Sequence, residues 1–306
     1  MMTASRQDGQ SRQGPAWQAP ARQVSSDEPA ARILPPPTLR MMLMEVRALA
    51  ELAGLAVMRR ALGRLPPGDG HPVLVLPGLM SSDWASVPMR HFLRDRGYAP
   101  YGWGLGTNRG PRGTMEADLA ALLHAIADRH GRKVSLVGAS LGGIYARQLA
   151  KAFPALTRSV ITLGSPFAGS ARATRAWRLY EWVSGQRVET CDSHMGGRLA
   201  APPPVPTTAV YSRTDGICAW QCCVERQGPL AESVEVRGSH LGLPHNPLVF
   251  HVLADRLAQP EGQFRPYRPA EEPGLLRRAL ARGRAAAAAK PGPAQADAAL
   301  AARERA

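Results

Sequence analysis

Apolar residues in this chain change their spacing in a regular alternation. Val73-Leu74-Val75-Leu76 is a short unbroken apolar run, and further strand-like stretches, some with polar interruptions, follow near 98–103, 133–138, 159–164, 207–212 and 232–237. Runs of that length without polar interruption read as strands buried on both faces. Between them, apolar positions fall at helical spacing, over about 84–96, 115–130, the stretch after 143, and 247–258. The second of these carries Thr114 as a cap, Glu116 and Asp118 in its first turn, and Gly131 as a stop. Strands that alternate with helices, joined by crossovers of about a dozen residues or more, predict an α/β fold. The expected architecture is a mostly parallel sheet of about six strands with helices on both faces.

Four stretches lie outside that rhythm. Residues 1–38 are polar, Pro-rich and end in Pro35-Pro36-Pro37, the composition of a disordered arm. Residues 39–62 then form an amphipathic helical pattern. Met42, Leu43, Val46, Leu49, Ala50, Ala53 and Val57 share one face, with Arg40, Arg47 and Glu51 roughly opposite. Such a helix can pack on the domain, cover the site or lie at a membrane interface; packing is the expectation. The main domain is set at 70–260. Within it, residues 168–206 separate two strands by an unusually long segment containing a helix over 174–183, the size and position of a lid. The tail, 266–306, is rich in Ala and Arg and reads as disordered or loosely helical.

Composition narrows the partners. The net charge is +14. It is dispersed, with five Arg against three acids over 1–40 and nine Arg or Lys against five acids over 261–306. The rest falls as isolated arginines through the middle. A nucleic-acid binder concentrates its basic residues on one helix or stripe with aromatics between them, so no specific nucleic acid is expected. A basic chain can still favour an anionic membrane surface. No secretory leader or membrane span is expected, which points to a cytoplasmic protein, peripheral to a membrane if 39–62 makes that contact. The four cysteines, Cys191, Cys218, Cys222 and Cys223, lack the spacing of a zinc site and read as ordinary reduced thiols.

The chemistry centres on Gly138-Ala139-Ser140-Leu141-Gly142. It follows an apolar run and precedes a helical pattern. A Gly-x-Ser-x-Gly turn in that setting holds a serine in a strained, exposed position at the start of a helix. A hydroxyl is a poor nucleophile at neutral pH and needs a base, and the base needs an orienting group. In an open parallel sheet these belong at the carboxyl ends of strands. His240 leaves the strand near 232–237, and Asp215 leaves the strand near 207–212. His245, His251 and His194 are weaker rivals, as are Asp192 and Glu189, because none stands at a strand exit. An oxyanion hole needs two donors. The backbone N–H of Leu141 follows the nucleophile, and Leu79 follows Pro77-Gly78 after the first strand. Met80 and Trp177 are the candidate substrate contacts, one at the mouth and one on the lid helix.

With Leu76-Pro77-Gly78-Leu79, Gly138-Ala139-Ser140-Leu141-Gly142-Gly143, Asp215 and His240 in that order, residues 70–260 resemble the α/β-hydrolase superfamily, in its bacterial lipase/esterase-like branch. Ile161-Thr162-Leu163-Gly164-Ser165-Pro166-Phe167 and Tyr211-Ser212-Arg213-Thr214-Asp215-Gly216 resemble that branch's strand-end segment and acid loop. The first loop departs from it, reading Pro-Gly where many relatives have His-Gly. The resemblance implies an α/β-hydrolase fold with a lid insertion, a Ser-His-Asp acyl-enzyme mechanism, and no metal or other cofactor. The expected activity is a serine hydrolase cleaving carboxylic esters, with a small, acyl-chain-bearing ester as partner. A thioesterase, an amidase or an acyltransferase would use the same triad. A non-catalytic binding protein on this fold is the alternative from another class.

Overall fold

The computed structural model describes residues 34–169, 171–187, 199–226 and 228–268. The expected disordered arm up to residue 33 and the tail from 269 lie outside the described residues, as do Glu189, Cys191, Asp192 and His194.

Six strands form one sheet: β1 (Pro72–Leu76), β2 (Ala99–Tyr101), β3 (Val134–Ala139), β4 (Thr157–Leu163), β5 (Thr207–Tyr211) and β6 (Ala231–Glu235). Their order is β2-β1-β3-β4-β5-β6, and every pairing is parallel. The α-helices among the described residues are α1 (Leu39–Leu43), α2 (Ala48–Leu62), α3 (Val87–Asp95), α4 (Met115–His130), α5 (Leu141–Ala152), α6 (Trp177–Ser184) and α7 (Pro247–Leu257).

Strand alternation divides the core in two. Val73, Val75, Val137 and Ile161 pack with Leu62, Phe92, Leu93 and Phe250 on the side of α2, α3 and α7. Leu74, Leu76, Leu136 and Val160 pack with Leu119, Leu123, Ile144 and Leu149 on the side of α4 and α5. Burial on both faces explains the unbroken apolar runs. The chain passes from β1 outward to β2 and then returns to β3 on the other side of β1. Strand order therefore reverses between β1 and β3, and a crevice opens at their carboxyl ends.

Most expected elements are present with shifted ends. The second strand is short because Asp83 accepts the N–H groups of Trp103 and Gly104 at 2.9 and 3.0 Å, which turns the chain out of the sheet. Gly131 ends α4 in the left-handed conformation (φ 57°), as expected. Thr114 behaves differently: it donates to the Asp118 carboxylate at 2.8 Å rather than capping a backbone N–H.

The N-terminal segment departs most from its pattern. It packs on the domain, but α1 and α2 are joined by a 3-10 helix at Met44–Arg47. The apolar face read from sequence points outward, with Leu43, Val46, Leu49 and Val57 between 66% and 85% exposed. The inner face carries Glu45, Glu51, Leu55, Met58 and Leu62. Leu55, Met58 and Leu62 join the core of the α3 and α7 side, and Gly54 lies against Pro247. Two carboxylates could turn inward because backbone donors wait for them there.

Candidate active site

Ser140 sits at the β3–α5 junction with φ 49° and ψ −121°, one of two described non-glycine residues at positive φ. A residue held there costs about 1–3 kcal/mol and persists only where its surroundings enforce it. The enforcement is visible at the glycines. A Cβ on Gly138 would run into Gly142 and Gly143, and one on Gly142 into the carbonyl oxygens of Leu76 and Pro77. The strand, the turn and the helix thus approach too closely for any side chain. The Ser140 N–H donates to the Leu163 carbonyl at 2.8 Å, tying the turn to β4.

Asp215 and His240 are brought together from the exits of β5 and β6. Asp215 Oδ2 lies 2.6 Å from His240 Nδ1, and both residues are buried. The other carboxylate oxygen, Oδ1, accepts the N–H groups of Ile217 and Cys218 at 2.8 and 2.7 Å. Burial works against a charged imidazole, yet the charge and hydrogen bond of Asp215 outweigh it and hold the His240 pKa well above the ordinary range. Beside the ring lies Cys218, whose thiol is pushed up by its Cys223 neighbour and by burial. Asp215, Cys218 and His240 place ligand-type atoms within 4.8 Å of one another.

Ser140 and His240 line the same cavity, of about 330 Å³, which is walled by apolar side chains including Leu79, Met89, Val137, Leu163, Leu179 and Leu241. No hydrogen bond joins the two residues among the described ones. The cavity has the character of a small-molecule site: concave, mostly apolar, with few polar groups converging on one wall.

Leu141 is the first residue of α5, so its N–H has no partner within the helix and lies at the positive end of the helix dipole. Leu79 lines the cavity and its N–H donates to no backbone carbonyl among the described residues. Gly78 makes the close approach feasible, since a Cβ there would already stand 3.3 Å from that of Ser140. Met80 and Trp177 do not line the cavity. Met80 turns away at φ 57° and is 46% exposed, and the Trp177 ring faces the guanidinium groups of Arg172 and Arg178. Ala176 and Leu179 reach the cavity from the insertion instead. His245 lines the cavity but lies outside the Asp215–His240 pair, with a pKa lowered by burial. His251 faces Tyr267 within reach of a hydrogen bond of 3.2 Å.

Two supports escaped sequence reading. Asn108, fully buried, donates to the Pro77 carbonyl at 2.8 Å, and its own backbone carbonyl accepts from Met80 N–H at 2.7 Å. It braces the loop that carries Leu79; an asparagine among glycines in a loop was the only available signal. Arg147 on α5 pairs with Glu225, both fully buried, and donates to the Leu199, Ala200 and Ala201 carbonyls where the insertion rejoins the domain.

A family model described as "Alpha/beta hydrolase family" matches residues 73–302. A triacylglycerol lipase of Pseudarthrobacter phenanthrenivorans is 33% identical over 109 residues, covering 33% of this chain and 34% of its own. A triacylglycerol lipase of Burkholderia plantarii is 33% identical over 109 residues, covering 33% of this chain and 30% of its own. The chain thus spans about a third of the length of the curated relatives it matches. Among solved structures, the mature form of the Bacillus licheniformis lipase BlEst2 aligns with 64% of this chain and 95% of its own, at 19% identity and a TM-score of 0.47.

Proposed function

The chain belongs to the alpha/beta hydrolase family, and we propose that it is a serine hydrolase that cleaves carboxylic esters bearing an acyl chain. The observation that carries this reading is the buried Asp215–His240 pair opening onto the same apolar cavity as a strained Ser140. In the proposed mechanism Ser140 Oγ attacks the ester carbonyl while His240 takes its proton. The N–H groups of Leu79 and Leu141 receive the developing oxyanion. His240 then gives the proton to the leaving alcohol, and the acyl group stays on Ser140. Water, deprotonated by the same imidazole, releases the acid and restores the serine. Asp215 keeps the ring proton on Nδ1 and stabilises the imidazolium as it forms.

The apolar lining supports an acyl chain over a sugar or a phosphate, and Leu179 of α6 supports reading the insertion as a lid over that chain. The triacylglycerol lipases that match part of the chain agree with this substrate class. The outward row of Leu43, Val46 and Leu49 supports a peripheral contact with lipid through 39–62, to be measured as liposome flotation. No helix among the described residues is long and apolar enough to cross a membrane.

Hydrolysis of p-nitrophenyl esters tests the proposal. Longer acyl chains should raise kcat/KM over acetate. Equal turnover of acetyl and longer esters would refute the acyl pocket, and faster turnover of matched thioesters or anilides would move the enzyme to a thioesterase or an amidase.

A further inference from the structure

The N-terminal segment touches the candidate site through two carboxylates. Glu45 is 6% exposed. Its Oε1 accepts the N–H groups of Gly216 at 2.8 Å and His240 at 2.9 Å, and its Oε2 accepts that of Leu241 at 2.9 Å. Glu51, two turns further on, accepts the Ser239 N–H at 2.7 Å and the Asn246 side-chain amide at 3.3 Å. Three successive N–H groups, those of residues 239, 240 and 241, therefore all end on acids of one distant segment. Successive N–H groups aimed at one point form a nest for an anion. Here the anions are side chains of the same chain.

The arrangement joins two loops that the sheet alone leaves separate. Gly216 follows Asp215, and His240 is the base, so one carboxylate spans the acid loop and the base loop. Arg47 adds a third tie, donating to the Thr214 carbonyl at 2.8 Å. The contact also accounts for glycines in both loops. A Cβ on Gly216 would strike the Met41 carbonyl, and one on Gly242 would strike the Glu51 carboxylate.

We propose that Glu45, seconded by Glu51, is a positioning residue of the active site: its carboxylate fixes the two loops so that His240 and Asp215 meet at hydrogen-bond distance. The segment 39–62 is on this view part of the catalytic apparatus. The inference rests on the hydrolase reading for its activity readout, and on geometry alone for its structural one. It commits to an effect on turnover rather than binding, because Glu45 does not line the cavity.

The test uses the full chain as wild type, Glu45→Ala, Glu45→Gln, Glu51→Gln and Ser140→Ala, assayed on a p-nitrophenyl ester and by proton NMR of the low-field resonance shared by His240 Nδ1 and Asp215. Misplacing a catalytic group by about 1 Å costs roughly 100-fold, and that loss in kcat is expected for Glu45→Ala with KM nearly unchanged. Glu45→Gln keeps one acceptor oxygen and should lose only about tenfold, the equivalent of one hydrogen bond. The low-field resonance should weaken or shift in Glu45→Ala and persist in Glu45→Gln. Wild-type kcat in Glu45→Ala, or a loss that only follows the unfolded fraction with the resonance intact, overturns the proposal. Should Glu45→Ala fail to fold, Glu51→Gln decides by the same resonance and a smaller kcat loss, and an unchanged value of both refutes it. If wild type and Ser140→Ala are equally inactive, the hydrolase reading fails instead, and the resonance still decides the clamp.

Discussion

Replacing Asp215 by Asn should abolish nearly all turnover while leaving the fold intact, and the structure says why. Asp215 Oδ1 is committed to two backbone donors, Ile217 and Cys218, at 2.8 and 2.7 Å. In Asp215→Asn the amide oxygen takes that position and the NH2 replaces Oδ2, which stands 2.6 Å from His240 Nδ1. The opposite rotamer would set the NH2 against two N–H groups, leaving donors unsatisfied at about 1–3 kcal/mol each. The amide therefore donates to Nδ1 and drives the ring proton to Nε2, where the base can no longer accept from serine. A wrong-tautomer imidazole of this kind loses roughly 10^4-fold in kcat, or about 5.4 kcal/mol of barrier. The substitution also removes the charge that raises the His240 pKa. In wild type the acid limb of kcat/KM reports loss of that proton, so in Asp215→Asn the limb should move to lower pH. Stopped-flow or steady-state ester hydrolysis from acid to alkaline pH, with a thermal melt for each variant, measures both effects. A variant within about tenfold of wild type, or a limb that does not move, would refute the tautomer argument.

Other expectations follow from packing and charge. Gly142→Ala should cost at least about 2 kcal/mol by overpacking and abolish activity, because its Cβ collides with the backbone of the Leu76–Pro77 turn. Gly54→Ala, inside α2 with only Pro247 at 3.4 Å, should instead stabilise by up to about 1 kcal/mol; paired denaturant melts compare them. Glu225→Gln strands the buried Arg147 cation and should destabilise by about 3–5 kcal/mol in the same assay. Burial lowers the His71 pKa from 6.5 to about 4, against the opposing pull of Asp69. The unfolded chain thus takes up this proton first as pH falls, and stability should decline between about pH 6.5 and 4, by up to about 3 kcal/mol. His71→Phe should flatten that decline in urea melts at several pH values.

The sheet and Ser140 were legible from sequence because their signals are local. A strand buried on both faces writes itself as an apolar run, and a turn too tight for side chains writes itself as glycines at 138, 142 and 143. Asp215 and His240 could be placed because parallel topology puts every strand exit on one edge. What stayed hidden depends on contacts between distant residues. Glu45 and His240 are 195 positions apart, and an acid at helical spacing reads as a solvated face. Periodicity accordingly turned the apolar side of 39–62 inward, whereas the N–H groups of 239–241 take the acids as their partners and draw them in. Trp177, expected as a substrate contact on the lid helix, turns its ring to Arg172 and Arg178, and Ala176 and Leu179 line the cavity from that segment instead. Asn108 carries its meaning only through the Pro77 carbonyl it reaches.

The proposed function stands on one hydroxyl, that of Ser140, being an activated nucleophile. Incubation of wild type and Ser140→Ala with a fluorophosphonate, followed by peptide mass mapping, addresses it directly. A single phosphonylated site is expected on the peptide containing Ser140, with no label on the alanine variant. Label at another residue, or equal labelling of both proteins, would contradict it.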